Sequence, residues 1–402
     1  MKKCLMCKKP GNFERGLCLQ CAKKEIFTKT KSFKQDFFGS VPSPFIGRYN
    51  YPNVNIGMLS LQEVKKDARE YDNPRSWAKH EKKAYDVLDY RSNLVNARQK
   101  GNVHKINEMV ELVGIAKKPV DAEVHLNKKP FFRLNLDSYS SPYGPNTEIE
   151  KAKITENVKV SRYVDKVNSD TDLKSVKAMQ YLYKKGYDET FLTRVLSVGS
   201  LGIGKDRKLV PTRWSITAVD DSLGKKNLLE FRDFKDVNEL VYFGGYMGNS
   251  YLILFMPGPW SYELFEIMVD KEVNEWSSQG LRYATDHENW NGRKEYVKET
   301  AGGYYAARLP ITEKLKELKR KGSVLAFRFI TEEYQVPLGV WVVREAARKA
   351  LMEKPLEFGD SELMIKYAKI FAKKKFGMDI SDLLKKSHLL KERKTQKRLG
   401  DF

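Results

Sequence analysis

Apolar residues recur at helical spacing through Thr171–Leu196, where Leu173, Val176, Met179 and Tyr183, and then Phe191, Leu192 and Val195, share one side. Charged helices are expected over Leu61–Asn73 and Ser76–Lys100. Further helices are expected over Ile311–Lys321, Val343–Leu351, Ser361–Phe371 and Ser381–Glu392. Shorter runs at Trp214–Val219, Glu239–Phe243, Tyr251–Met256 and Val324–Ile330 read as strands. From Phe37 to Pro52 aromatics interleave with Gly, Pro and one Arg, which suits an ordered loop or edge strand better than a helix. Asp137–Thr147, rich in Ser, Tyr, Pro and Gly, reads as a loop and marks the best internal break. No repeat of fixed period is visible. Strands and helices do not alternate as clean βαβ units, so the expected fold class is α+β, a mixed α/β core.

Composition narrows the class. The chain has 402 residues, 41% of them hydrophobic and 31% charged, which excludes a disordered chain, a collagen-like repeat and a disulfide miniprotein. The longest apolar stretch, Tyr251–Trp260, is broken by Pro257, Gly258 and Pro259 and falls far short of the roughly 20 residues a membrane span needs. Met1-Lys2-Lys3 runs straight into Cys4 with no apolar signal segment, so a cytoplasmic protein without membrane association is expected. With 73 Lys+Arg against 52 Asp+Glu the formal charge is +21. Such a balance suits a polyanionic partner such as DNA, whose condensed counterions Lys and Arg displace. It equally suits solubility or heat resistance.

All four cysteines fall within the first 21 residues, as Cys4-x-x-Cys7, ten intervening residues, and Cys18-x-x-Cys21. Two C-x-x-C pairs can converge four thiolates on one ion, the S4 shell of a structural zinc site. Gly11 and Gly16 suit a knuckle between the pairs, and Lys2, Lys3, Lys8 and Lys9 favour the thiolate form. Two disulfides or a redox pair are the competing reading, less natural in a chain without an export signal. The expected module covers residues 1–24, followed by a core over 25–384 and a flexible basic tail over 385–402.

Two motifs in the core require weighing. Gly199-Ser-Leu-Gly-Ile-Gly204-Lys205 fits the G-x-x-x-x-G-K spacing of a phosphate-cradling loop, but Asp206 stands where magnesium ligation needs Ser or Thr. Pro211 follows close behind and would interrupt the helix that should face the phosphates. Anion binding by Arg48, Lys205 and Arg213 in another geometry remains open, with Asp220 and Asp221 as hard-metal ligands or as a turn before Gly224. Asp286-His287-Glu288, with Arg293 and Arg308, offers acid, base and anion-binding types. Neighbours along a strand cannot all point one way, so the signal for catalysis is weak.

Five blocks of the chain carry a resemblance. They are PSPFIGRYNYPNVNIGMLS (Pro42–Ser60), LVPTRWSITAVDDSLGK (Leu209–Lys225), MPGPWSYELFE (Met256–Glu266), GGYYAARLP (Gly302–Pro310) and PLGVWVVREAARKAL (Pro337–Leu351). In this order they resemble the archaeal Nre family of DNA repair proteins. The resemblance implies DNA-damage repair in an archaeal cytosol and partnership with the sliding clamp PCNA through a C-terminal peptide. Some members of that family carry a four-cysteine N-terminal zinc motif, which Cys4, Cys7, Cys18 and Cys21 match.

Gln396-Lys-Arg-Leu399-Gly-Asp-Phe402 fits Q-x-x-h-x-x-a, the start of a clamp-binding peptide. One 3₁₀ turn would set Leu399 beside Phe402 as a hydrophobic plug, with the Gln396 amide meeting backbone groups at the pocket edge. The second aromatic of the usual eight-residue form is missing. The basic run Lys385–Arg398 is expected to stay solvated until bound. The expectation is therefore a clamp-recruited DNA repair factor whose zinc knuckle and basic core contact nucleic acid. The alternative is a metal-dependent nucleic-acid- or nucleotide-processing enzyme around Arg213, Asp220 and Asp221.

Overall fold

The punctuated aromatic stretch from Phe37 becomes two strands, β1 (Asp36–Val41) and β2 (Ser43–Ile46), separated by Pro42. Gly39 is required within β1, because a Cβ there would lie 2.1 Å from the Leu61 carbonyl oxygen. The computed structural model describes residues 3–8, 21, 24–25, 33–131, 144–269, 283–331, 333–334 and 338–395. It divides into two compact units, Met1–Ser222 and Leu223–Phe402. Both mix helices with a six-stranded sheet, as the α+β expectation required.

In the first unit β3 (Asn53–Ser60), β4 (Val95–Asn102), β5 (Val120–Leu126) and β6 (Asn146–Ile154) join β1 and β2 in the order β1-β5-β6-β4-β3-β2. All pairs are antiparallel except β4 with β6. Of residues 137–147, marked by composition as an internal break, 137–143 lie outside the described residues, and Asn146 and Thr147 open β6. The helix expected over Ser76–Lys100 is instead α1 (Pro74–Lys79), α2 (Ala84–Ser92) and then strand β4. Pairing on both sides, with Val95, Asn96 and Ala97 buried, overrides the weak strand propensity of VNARQKGN. Next come α3 (Glu108–Ile115), α4 (Arg162–Ser169), α5 (Ser175–Lys184) and α6 (Glu189–Ser197). Helices α3 and α6 pack on each other and on β2. The expected helical segment 171–196 is thus two helices, the second started by Asp188 accepting from the Phe191 N–H at 2.8 Å.

Trp214–Val219 is not a strand. It lies in α7 (Thr212–Phe231), a helix that contains the boundary between the units. Ile216, Thr217 and Val219 imitate strand alternation, but the fully buried positions Ser215, Val219, Leu223 and Asn227 recur every four residues. Pro211 does not interrupt this helix. It precedes it, and its carbonyl accepts from the N–H groups of Trp214 and Ser215 at 2.8 and 2.9 Å.

The second unit opens with a two-residue strand β7 (Lys235–Asp236), which pairs with β12 (Arg320–Lys321). Its main sheet contains β8 (Glu239–Tyr246), β9 (Asn249–Met256), β10 (Ser261–Met268), β11 (Tyr283–Glu288), β13 (Ser323–Ile330) and β14 (Leu356–Phe358), ordered β11-β10-β13-β9-β8-β14. Only β10 and β13 run parallel, joined through β11 and α8 (Ala301–Leu318). Tyr251, Ile253 and Phe255 face a core that includes Tyr304 of α8 and Val343 of α9 (Trp341–Met352). Leu252, Leu254 and Met256 face the opposite core, with Met364 of α10 (Ser361–Phe376), Leu383 of α11 (Ser381–Lys386) and Leu389 of α12 (His388–Thr395). Helices on both faces explain why YLILFM is apolar at every position instead of alternating.

The basic run from Lys385 was expected to remain solvated, and through Thr395 its lysines are exposed while the backbone is ordered. It is helical there, and Leu389 is 1% exposed. An apolar seam against β10 outweighs the cost of ordering a lysine-rich segment. Gln396, Leu399 and Phe402 lie outside the described residues.

Candidate functional site

The Cys4-Leu5-Met6-Cys7 segment is a turn closed by the Lys8 N–H donating to the Cys4 carbonyl at 3.0 Å, with Lys8 itself in the left-handed region. This turn returns Cys7 toward Cys4. The sulfur atoms of Cys4, Cys7 and Cys21 lie within 4.8 Å of one another, and none of the three is in a disulfide. Zinc–sulfur bonds of about 2.3 Å in a tetrahedron put ligand sulfurs about 3.8 Å apart, so these three thiols fit one ion with little adjustment. Cys18, the fourth expected ligand, lies outside the described residues. Bound there, a metal would cross-link the ends of a segment too short to build a core of its own.

The other expected site residues are scattered over several elements. Arg48 follows β2, its guanidinium 5.1 Å from the Tyr49 ring. Tyr51 of the same turn packs against Trp214 with ring centroids 5.2 Å apart, and the Ile46 N–H donates to Thr212 Oγ1 at 2.9 Å. The β2–β3 turn is thereby fastened to the first turn of α7, whose Arg213 is exposed. Lys205 is exposed on a single 3₁₀ turn, Gly204–Asp206. Arg207 staples the glycine-rich loop by donating to the carbonyls of Gly202, Asn168 and Asp170 at 2.8, 2.7 and 2.9 Å. The loop leads into that turn and not into an α-helix, so the phosphate-cradling geometry is absent from it. Asp220 and Asp221 sit on α7, Asp220 fully buried and Asp221 partly so. Consecutive helical residues diverge by about 100°, and Arg213 is about two turns, roughly 10 Å, back along the axis.

The acidic trio of the second unit divides as strand alternation demands. Asp286 and Glu288 point inward, while the His287 ring stacks 4.0 Å from that of His388. Glu288 accepts from Trp260 Nε1 at 2.9 Å and from Arg308 Nη1 at 2.7 Å. Asp286 accepts from the N–H groups of Lys298, Glu299 and Thr300 and from the Thr300 hydroxyl. Burial pushes this carboxyl upward, and those bonds outweigh it, holding Asp286 below the ordinary carboxylate value. Burial, and then the neighbouring His388, push His287 down. These groups are committed to structure: they fasten β11 to the helix that follows it.

Glu263 was not anticipated from the sequence. Fully buried on β10, it accepts from the Ser387 hydroxyl and from the backbone N–H groups of His388 and Leu389, at 2.5, 3.1 and 3.0 Å. It therefore caps α12, while Arg393 donates to the Pro257 carbonyl. The described chain ends at Thr395, on a helix held at its start and along its length. The sequence signal was a pair of charged residues, Glu263 and Glu266, inside an otherwise apolar strand, YELFEIM. Among the described residues no helix is long and apolar enough to cross a membrane.

A cluster of three cysteines, a strongly positive net charge and two mixed sheets describe a class of cysteine-knuckle α+β proteins, and sequence comparison makes the assignment specific. Residues 18–275 match the family model described as Archaeal Nre, N-terminal, and residues 288–402 match Archaeal Nre, C-terminal. The chain belongs to the archaeal Nre family. It is 35% identical over 352 residues to the DNA repair protein NreA of Haloferax volcanii, covering 84% of each chain. It is 34% identical over 376 residues to the DNA repair protein NreB of Archaeoglobus fulgidus, covering 92% of this chain and 93% of that one. No solved structure matches it. The two family segments do not coincide with the compact units: β8, β9 and β10 come from the first segment, β13 and β14 of the same sheet come from the second, and β11 falls between the two matches except for Glu288. Neither segment alone can complete that sheet.

Proposed function

We propose that this chain is a DNA repair factor brought to DNA by the sliding clamp PCNA through Gln396, Leu399 and Phe402. In this reading Cys4, Cys7, Cys18 and Cys21 of the 1–24 module hold one zinc ion, and the knuckle and basic core contact nucleic acid. The observation that carries the reading is membership of a family whose relatives are named DNA repair proteins. The formal charge of +21 agrees with phosphate contacts, which position a protein on a duplex without reading its sequence. The pinned helix ending at Thr395 supports presentation of the following peptide from a firm base, which lowers the ordering cost of docking.

The alternative, a metal-dependent nucleic-acid- or nucleotide-processing enzyme, draws on the fastening of the Arg48 turn to the Arg213 helix start, which sets two cationic residues on neighbouring segments. Arg213→Ala abolishing a nuclease or nucleotidase activity without changing Tm would favour it.

Calorimetry against the cognate clamp, comparing the intact chain with one ending at Thr395, tests the recruitment. Micromolar binding that vanishes on truncation supports it, whereas equal binding by both chains moves the contact elsewhere. DNA affinity should fall steeply with log salt, and a flat response argues against phosphate contacts. Elemental analysis should find one zinc per chain, lost in Cys18→Ser.

A further inference from the structure

Helix α6 packs against β2, and on these elements and the 3₁₀ turn Ala68–Asp72 four polar side chains each leave a buried polar atom without a hydrogen-bond partner. Arg69, in the 3₁₀ turn Ala68–Asp72, donates Nη1 to the Pro42 carbonyl, but its Nη2 is buried without a hydrogen-bond partner. Arg194 of α6 is only 9% exposed, its guanidinium 4.9 Å from the Phe191 ring, and its Nη1 is likewise unpartnered. Thr190 lies one turn earlier on the same helix face, and Ser43 adjoins Pro42. The hydroxyls of both are buried and unbonded.

The two guanidiniums also repel each other. Burial, and then Arg69, push the pKa of Arg194 down to about 9, and burial pushes Arg69 down to about 10. Asp72 and Asp188 lie near enough to favour the charged forms. Among the described residues, however, neither carboxylate hydrogen-bonds to either guanidinium, and Asp188 is occupied in capping α6. A guanidinium nitrogen buried without an acceptor is costly, and a second cation nearby adds to that cost. What resolves the arrangement is an anion with several acceptor oxygens, taken by two guanidinium edges and two hydroxyls. A tetrahedral phosphate matches that donor set, where a carboxylate would occupy one fork only. The depth of Arg194 favours an end group over the internal diester of a passing strand.

We propose that Arg69, Arg194, Thr190 and Ser43 form a binding site for a phosphate monoester. The site does not depend on the clamp or zinc readings. Its ligand is a terminal phosphate, carried by a free mononucleotide or by the end of a DNA strand.

The test uses the full chain in chloride buffer of constant ionic strength. Adding inorganic phosphate, or AMP, to about ten times its Kd should raise Tm by roughly 2–5 °C, and adenosine should not. Arg194→Met should abolish the rise while leaving the phosphate-free Tm equal to wild type or higher. Thr190→Val, a near-isosteric change, should weaken AMP binding several-fold by calorimetry at unchanged Tm, and it decides the matter if Arg194→Met fails to fold. No rise in the wild type, or equal rises in wild type and Arg194→Met, would overturn the site. Normal AMP affinity in Thr190→Val would overturn it as well. A 5′-phosphorylated oligonucleotide outbinding its 5′-hydroxyl counterpart, with the preference lost in Thr190→Val, assigns the phosphate to a DNA end. Equal oligonucleotide binding with AMP retained assigns it to a free nucleotide.

Discussion

In the second unit Arg308 and Arg328 are buried against carboxylates, Arg308 on Glu288 at 2.7 Å and Arg328 on Glu266 at 2.5 Å. Arg328 donates further to the Asn249 side chain. Burial opposes its charge, but Glu266 outweighs burial and the Arg328 pKa rises. In the first unit Arg194 is buried and Arg69 partly buried, neither with a bonded carboxylate, and their pKa values fall. The same residue type is a structural strut in one unit and an unmatched charge in the other. Matched buried charge tells of a sheet fastened to its helices, and unmatched buried charge tells of a partner from outside the chain.

The contrast is sharpest in the cost of deletion. Arg308→Met strands Glu288 in the core and should cost about 3–5 kcal/mol in denaturant unfolding. Replacing Glu288 with Leu in the same chain should recover most of that loss, because a well-packed apolar pair substitutes for a buried ion pair. A mild Arg308→Met would break the comparison. Arg194→Met, measured without phosphate, should cost nothing. A loss there as large as that of Arg308→Met would make Arg194 a strut as well.

A smaller effect is expected at the cap. Glu263→Gln keeps the volume but loses the charge that holds Ser387, His388 and Leu389, and should cost about 1–2 kcal/mol. Hydrogen exchange should quicken through Leu389–Thr395 and stay unchanged in β9 and β13. If exchange quickens across the whole sheet, Glu263 supports the core and not the helix alone.

The smallest effect depends on pH. The folded pKa of Asp286 is depressed, so its stabilising contribution is present above the unfolded value, near 4, and is lost as pH falls through the folded value. The stability difference between wild type and Asp286→Asn should therefore be constant from pH 5 to 7 and narrow below pH 4. A difference that widens on acidification would reverse the assigned direction.

Much of the second unit was legible in advance. YLILFM, VLAFRFI and VVREAARKAL announce their type because each is long, strongly patterned and buried in register with its period. The first unit was less legible. VNARQKGN is a strand because β3 and β6 pair with it, and nothing local requires that. TRWSITAV combines β-branched residues with a preceding proline, two local signals for a strand or a break, yet the buried face of α7 is helical. The cysteine spacing marked the thiol cluster at once, since the thiols of a C-x-x-C pair are neighbours in the chain.

The sequence by itself determined the mixed α+β class, the family, the cysteine knuckle, the strong positive charge and the absence of an apolar run long enough to span a membrane. These depend on composition, short-range spacing or likeness to relatives. Only the tertiary structure decided which charges are matched. Glu263 and Ser387 are 124 residues apart, Arg69 and Arg194 are 125 apart, and Glu288 could have met any of several arginines. A charge pattern along the chain records how many such groups exist. Their partners are set by which strands pair and which helices cover them, and burial then fixes what each pairing is worth.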